Sequence, residues 1–336
     1  MAASMSDRRI ALTVLTGFLG SGKTTLLNRL VREPAYAGAA VIVNEFGDIG
    51  VDHHLVRAVD GGIVLLEGGC ICCSASGGLA DTLRDLFMLA LRRQIRAFSH
   101  VLVETTGLAS PAAIMFTLRH DAFLAERFVY RGSITVADVQ HVAVQLRTQP
   151  EAAQQIALAD VVAFSKADLC SPAQVEAARR EVALANPAVA TCVLGRGQPL
   201  DELLLHVQRP EGRERVMRMG RWLGAFGASQ GERHPALTHF SLVLSTPISR
   251  GAFLAGMHDV QAKYDQGLLR VKGLICFEGE TLPCAVHGVH RQLYPLEMLP
   301  DWPSDSRDSS LVFLVRGHDR AEVMATVRRA LRQPQP

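Results

Sequence analysis

The chain has 336 residues, of which 48% are hydrophobic, and its 35 lysines and arginines nearly balance 33 aspartates and glutamates. This length exceeds what a single hydrophobic core usually supports, so we expect two domains. The near balance of charge gives no electrostatic reason to propose nucleic acid or an anionic membrane as a partner.

The first predicted element is a buried strand at residues 10–15, which follows Arg8 and Arg9. A charged pair before an apolar run resembles a secretory or twin-arginine signal. This run, however, lacks a small-residue cleavage site, is too short to cross a bilayer and leads into a glycine-rich loop. Seven cysteines without the spacing of a disulfide framework also favour a reducing compartment. We therefore expect a cytoplasmic protein.

Short β-branched runs alternate with helical patterns up to about residue 205. This alternation predicts a doubly wound, mostly parallel α/β sheet in a first domain at residues 1–205. Apolar residues at helical spacing between the runs supply the helices that cover the sheet. The predicted strands lie at residues 10–15, 40–44, 63–66, 101–104, 134–137, 161–165 and 189–193.

The remaining chain divides into two parts. Residues 206–235 are rich in arginine, glycine and proline and lack clear apolar periodicity, which predicts a linker. A metal-binding lid is the alternative, because the stretch holds histidines and glutamates, among them His234. Residues 236–336 predict a smaller α+β domain. Its expected strands are 240–244, 268–276, 285–289 and 311–315, and its expected helices are 251–259 and 319–331.

Residues 17–24 match the phosphate-loop pattern GxxxxGK followed by Ser or Thr, and they stand between a predicted strand and a predicted helix. The pattern is that of P-loop NTPases, in which backbone N–H groups and the helix N-terminus hold phosphate oxygens. Lys23 is expected to neutralise the β- and γ-phosphates, and Thr24 to bind Mg²⁺. A chance glycine-rich turn is the alternative. The predicted nucleotide-binding residues here are Gly17, Phe18, Leu19, Gly20, Ser21, Gly22, Lys23, Thr24 and Thr25.

The strand at residues 101–104 delivers Glu104 to its C-terminal tip, which is the Walker B position. Glu104 is a candidate either for holding Mg²⁺ through water or for orienting the attacking water. A helix-capping or salt-bridged glutamate is the alternative. Gly107 follows closely, where the backbone is expected to approach phosphate.

Ser165, Lys166 and Asp168 follow the strand at 161–165 and form a variant of the NKxD motif. A carboxylate at Asp168 can accept both N–H donors of the guanine edge, whereas adenine presents an acceptor there. The motif therefore favours GTP over ATP. Serine in place of asparagine is expected to lose an amide contact that braces the loop.

Residues 44–52 are predicted to form a switch, because glycines and three carboxylates follow the second strand. Glu45 is a candidate for reaching Mg²⁺ when GTP is bound, and Asp48 for a place near the cysteines that follow. A polar turn with solvated acids is the alternative.

Cys70, Cys72 and Cys73 stand together after two glycines that permit a tight turn. Thiolates favour Zn²⁺ or another soft or borderline metal. The cluster lacks the second cysteine pair of a closed site, so Asp48, Glu45, a histidine or water is expected to complete an open one. A buried thiol turn and a redox switch are the alternatives.

His120 is a further metal-ligand candidate, since it follows the Glu104 strand and could approach the same face. A solvated histidine at a helix end is the alternative.

Five motifs in this order resemble the CobW family of GTPases, which is related to UreG and HypB. They are GFLGSGKTTLLN, VNEFGDIGVD, LEGGCICCS, VETTGLASP and SKADL. RVKGLICFEG and SSLVFLVRG resemble the C-terminal domain of the family, so the resemblance covers about residues 8–330. Within the family the chain looks most like the YjiA-type branch, whose members bind zinc and hydrolyse GTP slowly.

The resemblance implies a GTPase that converts GTP to GDP and phosphate with Mg²⁺ and acts as a metal chaperone or insertase. The cysteine cluster would be its defining metal site, for Zn²⁺ with Co²⁺ or Ni²⁺ as alternatives. By position, Cys72, Asp48 and His120 match sites where related proteins bind surface metal, while Val43 departs from a pattern with a further acidic ligand.

The implied partner is a client metalloprotein of unknown identity, and a homodimer stays open. The competing hypothesis is a metal- or redox-regulated GTP-binding module that docks a partner without transferring metal.

Overall fold

The structure is a computed structural model that describes residues 9–44, 55–59, 63–68, 78–195, 197–207, 212–228, 234, 237–305 and 307–334. Within 44–77 it describes the backbone of strands only. The chain divides into two compact units. The first comprises Met1–Val139, Ala159–Ser171 and Thr191–Gln208, and the second comprises Gln140–Leu158, Pro172–Ala190 and Arg209–Pro336. The predicted domain boundaries at 205 and 235 stay predictions.

A mostly parallel sheet runs through the N-terminal part of the chain. Its strands are β1 (Ile10–Thr16), β2 (Ala40–Asn44), β3 (Leu55–Val59), β4 (Ile63–Gly68), β5 (His100–Glu104), β6 (Phe128–Asp138), β7 (Val161–Ser165) and β8 (Ala190–Val193). Their order is β3-β4-β2-β5-β1-β6-β7-β8. From β4 to β7 the pairing is parallel, and β3 pairs antiparallel with β4 at the edge. This confirms the predicted α/β fold of the P-loop NTPase type.

The core of the first unit lies between its sheet and three helices. These are α2 (Gly78–Leu91), α3 (Pro111–His120) and α4 (Ala122–Arg127), and α1 (Lys23–Leu30) and α8 (Asp201–Val207) complete the helices of this unit. Leu12 and Val103 of the strands pack with Leu83 and Leu86 of α2, all four fully buried. Helix α3 starts where Ser110 accepts a hydrogen bond from the backbone N–H of Ala112, as an N-cap does. Because β1 and β5 lie in the middle of the sheet and are buried on both faces, their sequences are mostly apolar.

The second unit contains an antiparallel sheet in the order β12-β11-β10-β14-β9, with β13 paired to β11. Its strands are β9 (Thr238–Val243), β10 (Leu268–Ile275), β11 (Cys284–Val289), β12 (Gln292–Leu293), β13 (Glu297–Met298) and β14 (Ser310–Val315). Its helices are α5 (Val142–Thr148), α6 (Pro150–Leu158), α7 (Pro172–Ala185), α9 (Gly212–Ala228), α10 (Arg250–Tyr264) and α11 (Arg320–Ala330). Phe253 of α10 and Val327 of α11 pack with Val271, Val286 and Phe313 of the sheet. The predicted C-terminal α+β architecture is thus confirmed.

The stretch predicted as a linker contains helix α9. Val216 is 1% exposed and packs with Leu274, Ala285 and Leu299. The Lys272 ammonium lies 4.7 Å from the ring centroid of Trp222. Apolar residues do recur at helical spacing here, but arginines and glycines between them conceal the pattern, so the expected lack of periodicity was wrong. Among the helices that the structure describes, none is long and apolar enough to cross a membrane.

Candidate nucleotide-binding site

The phosphate loop connects β1 to α1. Gly17 has a φ of +142°, and a Cβ atom there would lie 2.3 Å from the carbonyl oxygen of Val136 and 2.8 Å from Ser21 Oγ, so only glycine fits. Helix α1 begins at Lys23, which places its first backbone N–H groups at the loop. Lys23 Nζ donates to the carbonyl oxygen of Phe18 across 3.3 Å, so its ammonium lies over the loop. These groups together form an anion-binding cradle.

Thr24 and Glu104 meet beside this cradle. Thr24 Oγ1 donates a hydrogen bond of 2.7 Å to Oε1 of Glu104, whose residue is only 3% exposed. The parallel register of β1 and β5, which pairs Leu15 with Glu104, carries the carboxylate to the loop. A hydroxyl and a carboxylate oxygen are the donor types that Mg²⁺ accepts in phosphate sites. The donor types of this pair therefore fit a divalent cation at a phosphate site.

The segment after Glu104 packs against the phosphate loop. A Cβ atom on Gly107 would lie 2.6 Å from the backbone nitrogen of Leu19, so the close approach of Gly107 is to the loop itself. Ser21 Oγ and Thr106 Oγ1 are buried and have no hydrogen-bond partner among the residues that the structure describes. Buried hydroxyls normally find partners. Two such groups on the loop and on the segment packed against it fit a polar ligand.

The Ser165 motif is tied directly to the phosphate loop. Ser165 Oγ donates to the carbonyl oxygen of Ser21 at 2.6 Å, so serine supplies the bracing contact that was expected to be lost without asparagine. Lys166 adopts a left-handed φ of 57°, and its Nζ lies 2.7 Å from Oδ2 of Asp138. Asp168 is exposed on the short turn Ala167–Leu169. The strand end therefore holds the motif, and Asp168 is an exposed residue there.

Asp138 is a site residue that the sequence analysis missed. It ends β6, is 3% exposed, and lies opposite Ser165 in the parallel register of β6 and β7. A carboxylate that directly follows the predicted strand at 134–137 was the available signal, because neighbouring parallel strands end at the same edge. The ion pair with Lys166 satisfies the buried charge.

Most of the predicted metal ligands lie outside the described residues. They are Glu45, Asp48, Cys70, Cys72 and Cys73. His120 is the last residue of α3 and is exposed, and its ring centroid lies 4.2 Å from that of Phe116 with the two rings tilted by 31°. Over the described ranges, no group of three or more His, Cys, Asp or Glu side chains could hold a metal ion. The metal ligands therefore stay predictions.

Comparison with known proteins relates this geometry to a family. Residues 11–192 match the family model described as "CobW/HypB/UreG, nucleotide-binding domain". The chain belongs to this family. The CobW/HypB/UreG domain is followed at residues 237–331 by a match to the cobalamin synthesis protein CobW C-terminal domain.

Two curated relatives of this CobW/HypB/UreG member are named zinc chaperones. Zinc chaperone YjiA of Escherichia coli K12 is 30% identical over 305 residues, which cover 91% of this chain and 93% of the relative. Zinc chaperone CobW of a Sinorhizobium species is 25% identical over 360 residues and is covered to 98%, as is this chain. The solved structure of Zn(II)-bound YjiA GTPase from E. coli matches with a TM-score of 0.74 at 25% identity, covering 97% of this chain and 99% of that one.

Proposed function

We propose that this chain binds and hydrolyses GTP and uses that cycle to hold and release Zn²⁺ for a client metalloprotein. The observation that carries the hydrolase half is the 2.7 Å contact of Thr24 with the buried Glu104 beside a phosphate loop. Support for the zinc half comes from family membership and from relatives that are named zinc chaperones.

The phosphate loop and Lys23 would hold the triphosphate, and Thr24 and Glu104 would hold Mg²⁺. When bound, Mg²⁺ neutralises the charge that develops on the phosphate oxygens. Water then attacks the γ-phosphorus, the bond to the β–γ bridging oxygen breaks, and GDP and phosphate leave. Glu104 and Glu45 are the candidates for orienting that water, and Glu45 lies outside the described residues.

Selectivity for guanine would come from Asp168. Its carboxylate can accept the N1–H and N2–H donors of guanine, whereas the N1 acceptor of adenine would face a like charge. Two contacts fix the backbone that carries Asp168. Lys166 pairs with Asp138, and Ser165 donates a hydrogen bond to Ser21. The proposal therefore names GTP rather than ATP.

The metal is cargo in this proposal. Cys70, Cys72 and Cys73 would bind Zn²⁺, with Asp48 or His120 available as oxygen or nitrogen ligands and Co²⁺ or Ni²⁺ as alternative ions. An open site exchanges its ion more readily than a closed four-cysteine site. The expected compartment is the cytoplasm, where cysteines stay reduced.

The linkage between nucleotide and metal can be measured directly. Zn²⁺ affinity is titrated with a non-hydrolysable GTP analogue bound and with GDP bound, and we expect the analogue to give the tighter site. Equal affinities would refute coupling, because a ligand that does not discriminate between two states cannot shift their populations.

A cysteine variant separates cargo from regulation. Cys72→Ala should abolish the nucleotide-dependent release of Zn²⁺ to a chromogenic chelator while GTP hydrolysis continues. Cys276→Ala, at a free cysteine of the second unit, is the matched control. Two results together would support the regulatory module instead. In Cys72→Ala, zinc would no longer change the rate of GTP hydrolysis, and the wild type would release no zinc in either nucleotide state.

A further inference from the structure

The loop that follows β8 begins next to the proposed guanine-binding motif. Strand β8 ends at Val193 and neighbours β7 in the sheet. The backbone N–H of Leu194 donates to the carbonyl oxygen of Phe164 at 2.8 Å, one residue before Ser165. In open α/β sheets, ligands bind at this carboxyl edge of the strands. The loop therefore starts at the edge where the base is proposed to bind.

A single side chain of α1 holds this loop at two points. Arg29 Nη1 donates to the carbonyl oxygen of Gly195 at 3.1 Å, and Nη2 donates to that of Gln198 at 2.6 Å. A planar guanidinium sets the spacing of two acceptors that a flexible ammonium cannot set. Because α1 starts at Lys23, the same helix carries the phosphate cradle at one end and fixes the loop near the other.

The described part of this loop, residues 194–195 and 197–200, contains two glycines. Gly197 has a φ of 68°, and a Cβ atom on Gly195 would lie 2.3 Å from Oε1 of Gln198. Glycines lose more backbone entropy than other residues when a loop is ordered. Helix α1 is anchored independently by Leu26, Leu27 and Leu30, all buried. The two hydrogen bonds of Arg29 are therefore additional to the packing that anchors the helix, and they act on the loop.

We infer that Arg29 is a positioning residue for nucleobase selectivity. Arg29 fixes the position of the loop after β8 next to the Asp168 motif, so that the base would contact an ordered backbone. It also connects this loop to α1, whose first residue is Lys23 of the phosphate loop. The inference rests on the proposed binding of GTP. Removing the guanidinium should release the loop and weaken the base-dependent part of affinity, while the phosphate contacts remain.

The test compares three probes on the full chain. Dissociation constants for GTP, ATP and inorganic tripolyphosphate are measured for the wild type and for Arg29→Ala. We expect the GTP constant to rise about tenfold, since two hydrogen bonds from a charged donor are lost. The tripolyphosphate constant should not change, and the preference for GTP over ATP should fall. Arg29→Lys should be intermediate, because one ammonium can reach one carbonyl.

Arg32→Ala is the matched control, since it removes the same charge from an exposed position just beyond α1 and should leave all three constants unchanged. Equal weakening of GTP, ATP and tripolyphosphate by Arg29→Ala would overturn the inference, as would no change at all. If Arg29→Ala does not fold, the same comparison is made with Arg29→Lys, using the ratio of its dissociation constants for ATP and GTP. A wild type without preference for GTP would overturn the proposed function, and this inference with it.

Discussion

Oγ1 of Thr24 and Oε1 of Glu104 lie 2.7 Å apart, although 80 residues separate them in the chain. One oxygen comes from the first turn of α1 and the other from the tip of β5. The hydrogen bond satisfies one oxygen of the Glu104 carboxylate, whose residue is 3% exposed and whose charge is costly to bury. The same two oxygens would hold Mg²⁺, which would supply positive charge beside a phosphate.

Glu104→Gln should therefore slow GTP hydrolysis. The amide oxygen can still accept the hydrogen bond of Thr24, so the fold should be kept, but the negative charge is lost. We expect the turnover of GTP to fall by about a hundredfold or more, measured as phosphate release under saturating GTP. Glu126→Gln, at a side chain that is 73% exposed, is the control. Unchanged turnover in Glu104→Gln would exclude Glu104 from the reaction.

Ser165→Ala should destabilise the first unit. The substitution leaves the carbonyl oxygen of Ser21 without the 2.6 Å hydrogen bond that it now accepts inside the protein. Losing one partner of a buried pair costs about 1–3 kcal/mol, which urea denaturation can measure. Ser245→Ala, on an exposed residue, should change stability by less than about 0.5 kcal/mol. Similar values for both variants would mean that the brace contributes nothing.

Asp168→Asn should change which base is preferred. An amide presents one acceptor and one donor where the carboxylate presents two acceptors, so it fits the C2 carbonyl of xanthine better than the amino group of guanine. We expect affinity for GTP to fall by about tenfold to a hundredfold and affinity for XTP to rise. Competition with a fluorescent nucleotide measures both, and ATP affinity is the reference. Parallel losses for GTP and XTP would argue against contact between Asp168 and the base.

His234 should make stability depend on pH. Burial lowers its pKa, the Glu181 carboxylate raises it, and the Arg147 guanidinium lowers it, with a net decrease. The unfolded chain therefore binds a proton more readily than the native state below about pH 6.5, so stability is full above that value and falls as pH decreases further.

The measurement is the urea midpoint at about pH 7.5, 6.5 and 5.5. His234→Gln should flatten the decline below about pH 6.5, whereas His258→Gln, on an exposed helix face, should keep the wild-type slope. Identical slopes in all three proteins would show that His234 does not control this dependence.

Local signals in the sequence predicted the parallel sheet and the phosphate loop, but not the pairings that depend on distant contacts. The runs at 40–44 and 161–165 match β2 and β7 residue for residue, because buried parallel strands are apolar throughout. Strand β3 was missed because five residues that include Arg57 carry little signal, and pairing with β4 decides their structure.

Some residues of the candidate site can be predicted from local motifs, and others depend on distant contacts. The glycine pattern and the strand-end carboxylate identify Lys23 and Glu104 without any structure. The roles of Asp138, Ser165 and Arg29 depend on partners 28, 144 and at least 166 residues away. A single sequence does not indicate which residues of two distant segments lie side by side, so these contacts could be identified only from the structure.

Helix α6 of the second unit is held along its length by residues of the C-terminal sheet and its turns. At its two ends, the carbonyl oxygens of Pro150 and Leu158 accept hydrogen bonds from Arg316 and Arg270. In its middle, Nε2 of Gln154 lies 2.6 Å from Nε2 of His290. Gln261 donates to the backbone carbonyl of His290 at 2.9 Å and steadies a turn in which His290 has a φ of 49°. The Gln154–His290 contact should thus couple α6 to the sheet.

A double-mutant cycle tests that coupling. Gln154→Ala and His290→Ala should each lower the free energy of unfolding by about 1 kcal/mol or more. The double variant should lose less than the sum, by about 0.5–1 kcal/mol, because the second substitution has no contact left to break. The backbone cost of alanine at the positive φ of residue 290 appears in both legs of the cycle and cancels. Losses that add to within about 0.3 kcal/mol would mean that the two side chains act independently.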